Sequence, residues 1–187
     1  PRLGSDGGWV SILTEHGVGV RPLQPANAGV RVAWSEFFKS KCAGKPLKRI
    51  AVGLMGDERK RRGEAIITSG GLEGGAIYVV GDLLRAHLAH AATAMIEIDL
   101  RPDVSLDALA AKIKSAPTKQ SLANTLRKQA GLDAVAATLL HETVRREGAL
   151  PHDAAGLAAR IKHVSIQVDG FAGMERAIST AGGIDFA

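Results

Sequence analysis

The chain has 187 residues, 45% hydrophobic but only 4% aromatic, and a formal net charge of +5. That is enough apolar side chain for the core of one globular domain or two small ones, packed mostly from small residues around a few large anchors: Trp9, Trp34, Phe37, Phe38, Tyr78, Phe171 and Phe186. A single cysteine, Cys42, excludes a disulfide framework or a cysteine zinc cage and suits a reducing cytoplasm, and no apolar run approaches the ~20 residues that cross a bilayer.

The chain starts at Pro1 rather than Met, so a preceding segment is expected, and its charged, Gly-rich start is not a signal peptide. Trp9, Val10, Ile12 and Leu13 before Gly17 predict a short helix, with Ser5 or Asp6 as its N-cap. Four extended segments follow, at 18–23, 29–34, 46–55 and 64–68, β-branched or alternating and separated by Pro, Gly or charge. In the second of them Val30, Val32 and Trp34 alternate with Arg31 and Ala33, the pattern of a strand half exposed to water. Four strands within 70 residues predict an antiparallel sheet or a small barrel. The run Gly70-Gly71-Leu72-Glu73-Gly74-Gly75 then reads as a glycine loop opening a helix over 76–90, where Ile77, Val80, Leu84 and Leu88 fall at helical spacing. Residues 93–100 alternate again and predict a return strand.

From Ser105 the period becomes helical. Leu106, Leu109 and Ile113 mark one helix behind a serine cap, Ser121 opens a second, Leu132 to Thr143 carries a third, and Pro151 at a first-turn position begins a fourth. Val164, Ile166 and Val168 return the chain to a sheet. The fold class expected is therefore α+β: an antiparallel β-barrel-like domain formed by 1–100 with 163–187, and a helical bundle inserted at 101–162.

Chemistry-bearing motifs are few. A dinucleotide cradle needs strand, G-x-G-x-x-G and helix, with an acidic residue about 20 positions on, and no such run occurs. His87 and His90 share a helix face but lack the H-E-x-x-H pattern, so no metal site is expected, and His141 reads as part of a solvated helix face. Gly-x-Ser-x-Gly is missing, which sets a hydrolase elbow aside, and no residue is assigned as catalytic. The best local candidate is the glycine loop: amides at Gly74, Gly75 and Ala76 could receive an anionic or carbonyl group of a substrate, or the glycines could only relieve strain in a tight connection. Nine cations against four anions between Ser35 and Glu64 account for the whole charge excess. Clustered cations can grip a polyanion such as RNA, but no aromatic side chains interleave with Arg59 to Arg62, so a solvated hairpin tip is the preferred reading.

Five stretches taken in order, "PRLGSDGGWV", "RPLQPANAGVRVAWSE", "GLEGGAIYVVGDLLR", "SLANTLRKQAGLD" and "AISTAGGIDF", resemble the BaiN-like (YhiN-like) family of NAD(P)/FAD-dependent flavoproteins over nearly the whole chain. Glu73 and Gly75 stand where the family pattern has Ser and Pro. The resemblance implies a substrate-side domain inserted into a two-part Rossmann-type FAD domain that lies outside this chain. Its implied activity is reduction of carbon-carbon double bonds with NAD(P)H as reductant, and its implied partners are those missing halves and a small-molecule substrate. It also implies that Pro1, Ser5 and Gly8 at one edge, and Thr180, Gly182 and Gly183 at the other, lie closest to the flavin ring. On this reading the isolated chain is inactive. Two other classes stay open: a basic RNA-binding module, and a structural or oligomer-forming insert.

Overall fold

The computed structural model describes residues 6–186. Helix α1 (Gly8–Glu15) has left-handed Gly7 rather than the expected Asp6 at its N-cap, with no side-chain cap; Asp6 accepts the Gly8 N–H at 3.0 Å from one residue further out, and beyond the helix end Val18 N–H turns back to Leu13 O. Strand β1 (Val20–Asn27) then pairs antiparallel with the last strand, β8 (Ser179–Ile184), as a two-stranded ribbon with Val20 opposite Ile184.

The main sheet has six antiparallel strands: β2 (Val30–Arg31), β3 (Pro46–Leu54), β4 (Arg61–Thr68), β5 (Gly71–Glu73), β6 (Ala94–Asp99) and β7 (Val164–Val168). Their spatial order is β2-β5-β4-β3-β6-β7. The two outer strands curl toward each other: Arg31 N–H donates to Gly170 O, Asp169 N–H donates to Arg31 O, and Val30 bridges Phe171. The result is a half-barrel. The predicted α+β class and its barrel-like sheet are therefore observed. Alternation fills the interior, with Ala94, Ile96 and Ile98 of β6 and Val164, Ile166 and Val168 of β7 all buried.

Five helices lie between β6 and β7: α5 (Leu106–Lys114), α6 (Leu122–Lys128), α7 (Ala134–Glu142), α8 (Val144–Glu147) and α9 (Ala154–Lys162). Ser105, Ser121, Asp133 and Asp153 cap four of them through their side-chain oxygens, each such cap being worth ~1 kcal/mol. Leu109, Leu126, Leu139 and Ile161 point inward and join the barrel side chains in one continuous core. The helical segment is pinned to the sheet by Lys162, whose Nζ donates to Asp99 Oδ2 (2.7 Å), Arg101 O (3.0 Å) and Val104 O (2.7 Å).

Several local expectations are corrected. Pro151 precedes α9 rather than sitting in its first turn, because Asp153, not the proline, supplies the cap by accepting Gly156 N–H at 2.7 Å. The helix expected over 76–90 breaks at Val79-Val80 into α3 (Gly75–Tyr78) and α4 (Gly81–Leu88). The strand over 29–34 keeps its alternating burial but is ladder-paired only at Val30 and Arg31. A helix not anticipated, α2 (Glu36–Cys42), starts on a Ser35 cap and buries Phe38 against Trp34, with ring centroids 4.7 Å apart. It also buries Cys42, and that burial pushes the thiol pKa up. Part of the glycine loop is itself a strand, β5, and the Gly-rich segment near the end is β8.

Candidate functional site

Pro1 and Ser5 lie outside the described residues. Gly8 opens α1, whose preceding Gly7 sits against Leu23 of β1, while Thr180, Gly182 and Gly183 belong to β8 on the other side of the same ribbon. Gly8 and the three residues of β8 are thus gathered onto one feature. Gly182 has a local reason of its own, since a Cβ there would stand 2.3 Å from Pro22 O.

At the glycine loop, Gly74 precedes the single turn of α3 and lies over the backbone of Glu64 and Ala65. Ala76 is buried against Gly63, so of the three amides expected to receive a ligand only that of Gly75 belongs to an exposed residue. The ligand-sized space lies beside the loop. A concavity of about 820 Å³ is walled by Gly74, Ile66 of β4, Tyr78 of α3, and Glu175, Arg176 and Ile178 from the approach to β8. Ile178 is positioned by its N–H bond to Asn27 O (2.8 Å), and Arg176 by its ion pair with Glu73 (3.0 Å). Ile66 and Ile178 remain 40% and 37% exposed, which makes an uncovered apolar wall.

Tyr78 brings an uncharged phenol to that wall, beside the charged Glu175 and Arg176. Burial pushes its phenol pKa up, and the nearby Gly74 backbone pulls it only partly back; Glu73 raises it and Arg176 lowers it. The phenol therefore stays protonated at neutral pH. Its O–H is available to a ligand carbonyl or hydroxyl in the concavity. Neither Tyr78 nor Arg176 was found from the sequence; an isolated tyrosine and arginine carry no motif, and they meet only through the fold.

Part of the basic stretch is neutralised at short range. Arg59 pairs with Asp57 at 2.8 Å, Lys60 with Glu97, and Arg62 with Asp103. Asp57 is consequently held down to about 2, chiefly by its hydrogen bonds from Arg59. Glu97 is the more informative carboxylate. Its burial would raise its pKa, yet the hydrogen bonds from Lys60 and His163 outweigh that and leave it lowered. A lowered folded-state value means that this pairing stabilises the fold above the ordinary carboxyl value of 4.5 and is lost as pH falls through the lowered one. Glu97→Gln should cost about 1–2 kcal/mol at pH 7. The gap from the parent chain should close as urea unfolding is repeated toward about pH 3, and an unchanged gap would contradict the assignment.

Among the described residues, no three His, Cys, Asp or Glu side chains converge on a common point that could hold a metal ion. Nor does any described strand lead through a G-x-G-x-x-G turn into a helix, so the residues present do not fit the cradle that a dinucleotide needs. Among the described residues no helix is long and apolar enough to cross a membrane. A family model described as "HI0933-like protein barrel and H2TH domain" matches residues 24–179. No curated protein matches the chain.

Proposed function

The chain belongs to the family of HI0933-like barrel and H2TH domains, a domain family of FAD-dependent oxidoreductases, and from that premise we propose that it is the substrate-side insertion of such an enzyme. The observation that carries this reading is the Tyr78 concavity: a ligand-sized, partly apolar hollow at the root of the β1·β8 ribbon, with a protonated phenol in its wall. The proposed division takes 1–100 with 163–187 as the barrel part and 101–162 as the helical part, and the β6–β7 pairing on either side of the five helices supports it.

In this reading FAD, held by parts of the flavoprotein outside this chain, supplies the hydride chemistry, with NAD(P)H as the reductant and a carbon-carbon double bond as the group reduced. The described residues do the positioning. Ile66 and Ile178 exclude water from the substrate's apolar body, and Tyr78 Oη donates to a carbonyl conjugated to that bond. Glu73 holds Arg176 in the wall. Gly8, Thr180, Gly182 and Gly183 carry the edges that face the flavin.

The test is made in the full-length flavoprotein. Tyr78→Phe should slow reoxidation of the reduced flavin by substrate on the order of 100-fold while bound FAD is unchanged, because the phenol is asked only to stabilise charge on the substrate oxygen. Unchanged reoxidation would remove Tyr78 from the site. Loss of FAD from the variant would place the cofactor on this chain and overturn the proposed division of labour.

A further inference from the structure

The wall of the half-barrel has a gap beside the outer edge of β7. Met55 N–H donates to Met95 O, so the odd-numbered residues of β6 direct their peptide groups to β3 and the even-numbered ones to β7. Val164, Ile166 and Val168 of β7 therefore face β6, and Ser165, Gln167 and Asp169 face away. Two of these outward amides are engaged: Asp169 N–H by Arg31 O at 3.2 Å, and Ser165 N–H by the Glu147 carboxylate at 3.1 Å. Gln167, between them, directs its N–H and C=O into open space. Across the gap Arg31 N–H bonds Gly170 O and Val32 N–H bonds Gly70 O, after which Trp34 N–H turns back to Val32 O at 3.0 Å, so the chain bends at Ala33 and the free strand edge facing the gap is that of β7. The two edges touch at Arg31 and Asp169 and part beyond, leaving a cavity of about 410 Å³ lined from both sides.

The cavity floor is apolar, formed by buried Val32, Trp34 and Ile166; the indole N–H is already taken by Gly71 O at 3.1 Å. Its carboxylates are engaged, Glu142 by the Ser35 N–H and hydroxyl at 2.7 Å each and Asp169 by Arg31 at 3.0 Å. Arg145 and Arg146 on α8 also line it, exposed and with guanidinium groups that have no hydrogen-bond or ion-pair partner among the described residues. The uncommitted charge at the rim is thus positive. Past Arg145 the opening continues into a second hollow between α2 and α7, where Phe37 is 64% exposed.

We propose that this seam binds an extended acidic peptide segment, which adds as a short strand alongside Gln167, seats an apolar side chain over Trp34 and places carboxylates on Arg145 and Arg146. Unpaired strand edges are templates for such addition, and guanidinium forks hold carboxylates with directional, charge-assisted bonds. A small organic anion would satisfy the arginines but leave the backbone edge at Gln167 bare. The seam shares no lining residue with the Tyr78 concavity, so the proposal stands apart from the oxidoreductase reading.

The experiment pans the 187-residue chain against a display library of random eight-residue peptides. Recovered sequences should be rich in Asp and Glu alternating with apolar residues. Their affinity should fall at least tenfold in the double variant Arg145→Glu, Arg146→Glu, whose exposed helical positions leave the thermal melt unchanged. N-methylation of alternate peptide amides should abolish binding, and methylation of the intervening ones should not. Recovery of no peptides, recovery without acidic enrichment, indifference to the charge reversal, or equal sensitivity at every amide would each overturn the proposal.

Discussion

Replacing Gly71 by alanine should destabilise the protein by about 3–5 kcal/mol, enough to lower the melting temperature by about 10 °C. A Cβ at this position would lie 1.8 Å from Val30 O and 3.0 Å from Arg31 Cα, which are main-chain atoms of the neighbouring strand and cannot rotate away. Its φ of 156° is also one that side-chain-bearing residues rarely adopt. Relief requires β2 and β5 to move apart, and with them the Val30–Leu72 and Arg31–Gly71 pairs that hold the rim of the barrel. The neighbouring Gly70 is the control. A Cβ there meets nothing within 4 Å, so Gly70→Ala should stay within about 0.5 kcal/mol. Equal urea midpoints for the two variants would show that β2 and β5 are not packed as described.

Lys162→Met should cost about 3–5 kcal/mol for a different reason. Methionine keeps most of the side chain's volume but none of its three donors. Asp99, 6% exposed, would lose its counter-cation, and the carbonyls of Arg101 and Val104 would lose their partners. The loss is therefore one of unsatisfied polar groups rather than of packing. A double variant with Asp99→Asn distinguishes the two. If the ion pair carries the effect, the double variant should be more stable than the sum of the single losses predicts, by roughly 1–3 kcal/mol; strict additivity in denaturant titrations would refute it.

The parts of this fold that were legible in the sequence are those whose signal is local. Ser105 and Ser121 announce their helices because the cap and the first turn are neighbours in sequence. Strands β6 and β7 show their alternation because one face of each is buried. Helix α2 was hidden by the alternating run that ends at Trp34, although Ser35 followed by Glu36 is an N-terminal signal. Strand β8, Ser-Thr-Ala-Gly-Gly-Ile, has little intrinsic β-propensity and becomes a strand only because β1 lies against it. The same limit governs the candidate site. The glycine loop marked one wall of the concavity through Gly74, whereas Glu73 and Arg176 are 103 residues apart and Ile178 is placed from β1. The basic stretch read as a solvated hairpin tip, and its pairing was out of view because Glu97 and Asp103, the carboxylates facing Lys60 and Arg62, come from β6 and the turn after it.

The ribbon of β1 and β8 also bears on how the chain assembles. Arg21 and Asp185, which pair across it, are 164 positions apart, and Arg31 and Asp169, where the barrel rims meet, are 138 apart. Bringing such distant segments together costs closure entropy that is recovered only when nearly everything between them is already ordered. The hairpin of β3 and β4 and the capped helices can form first from near neighbours, so the ribbon and the meeting of the rims are the last contacts made. By the same reasoning they are the first released when the native state breathes, and amide exchange should be fastest at the neck while the barrel floor stays protected.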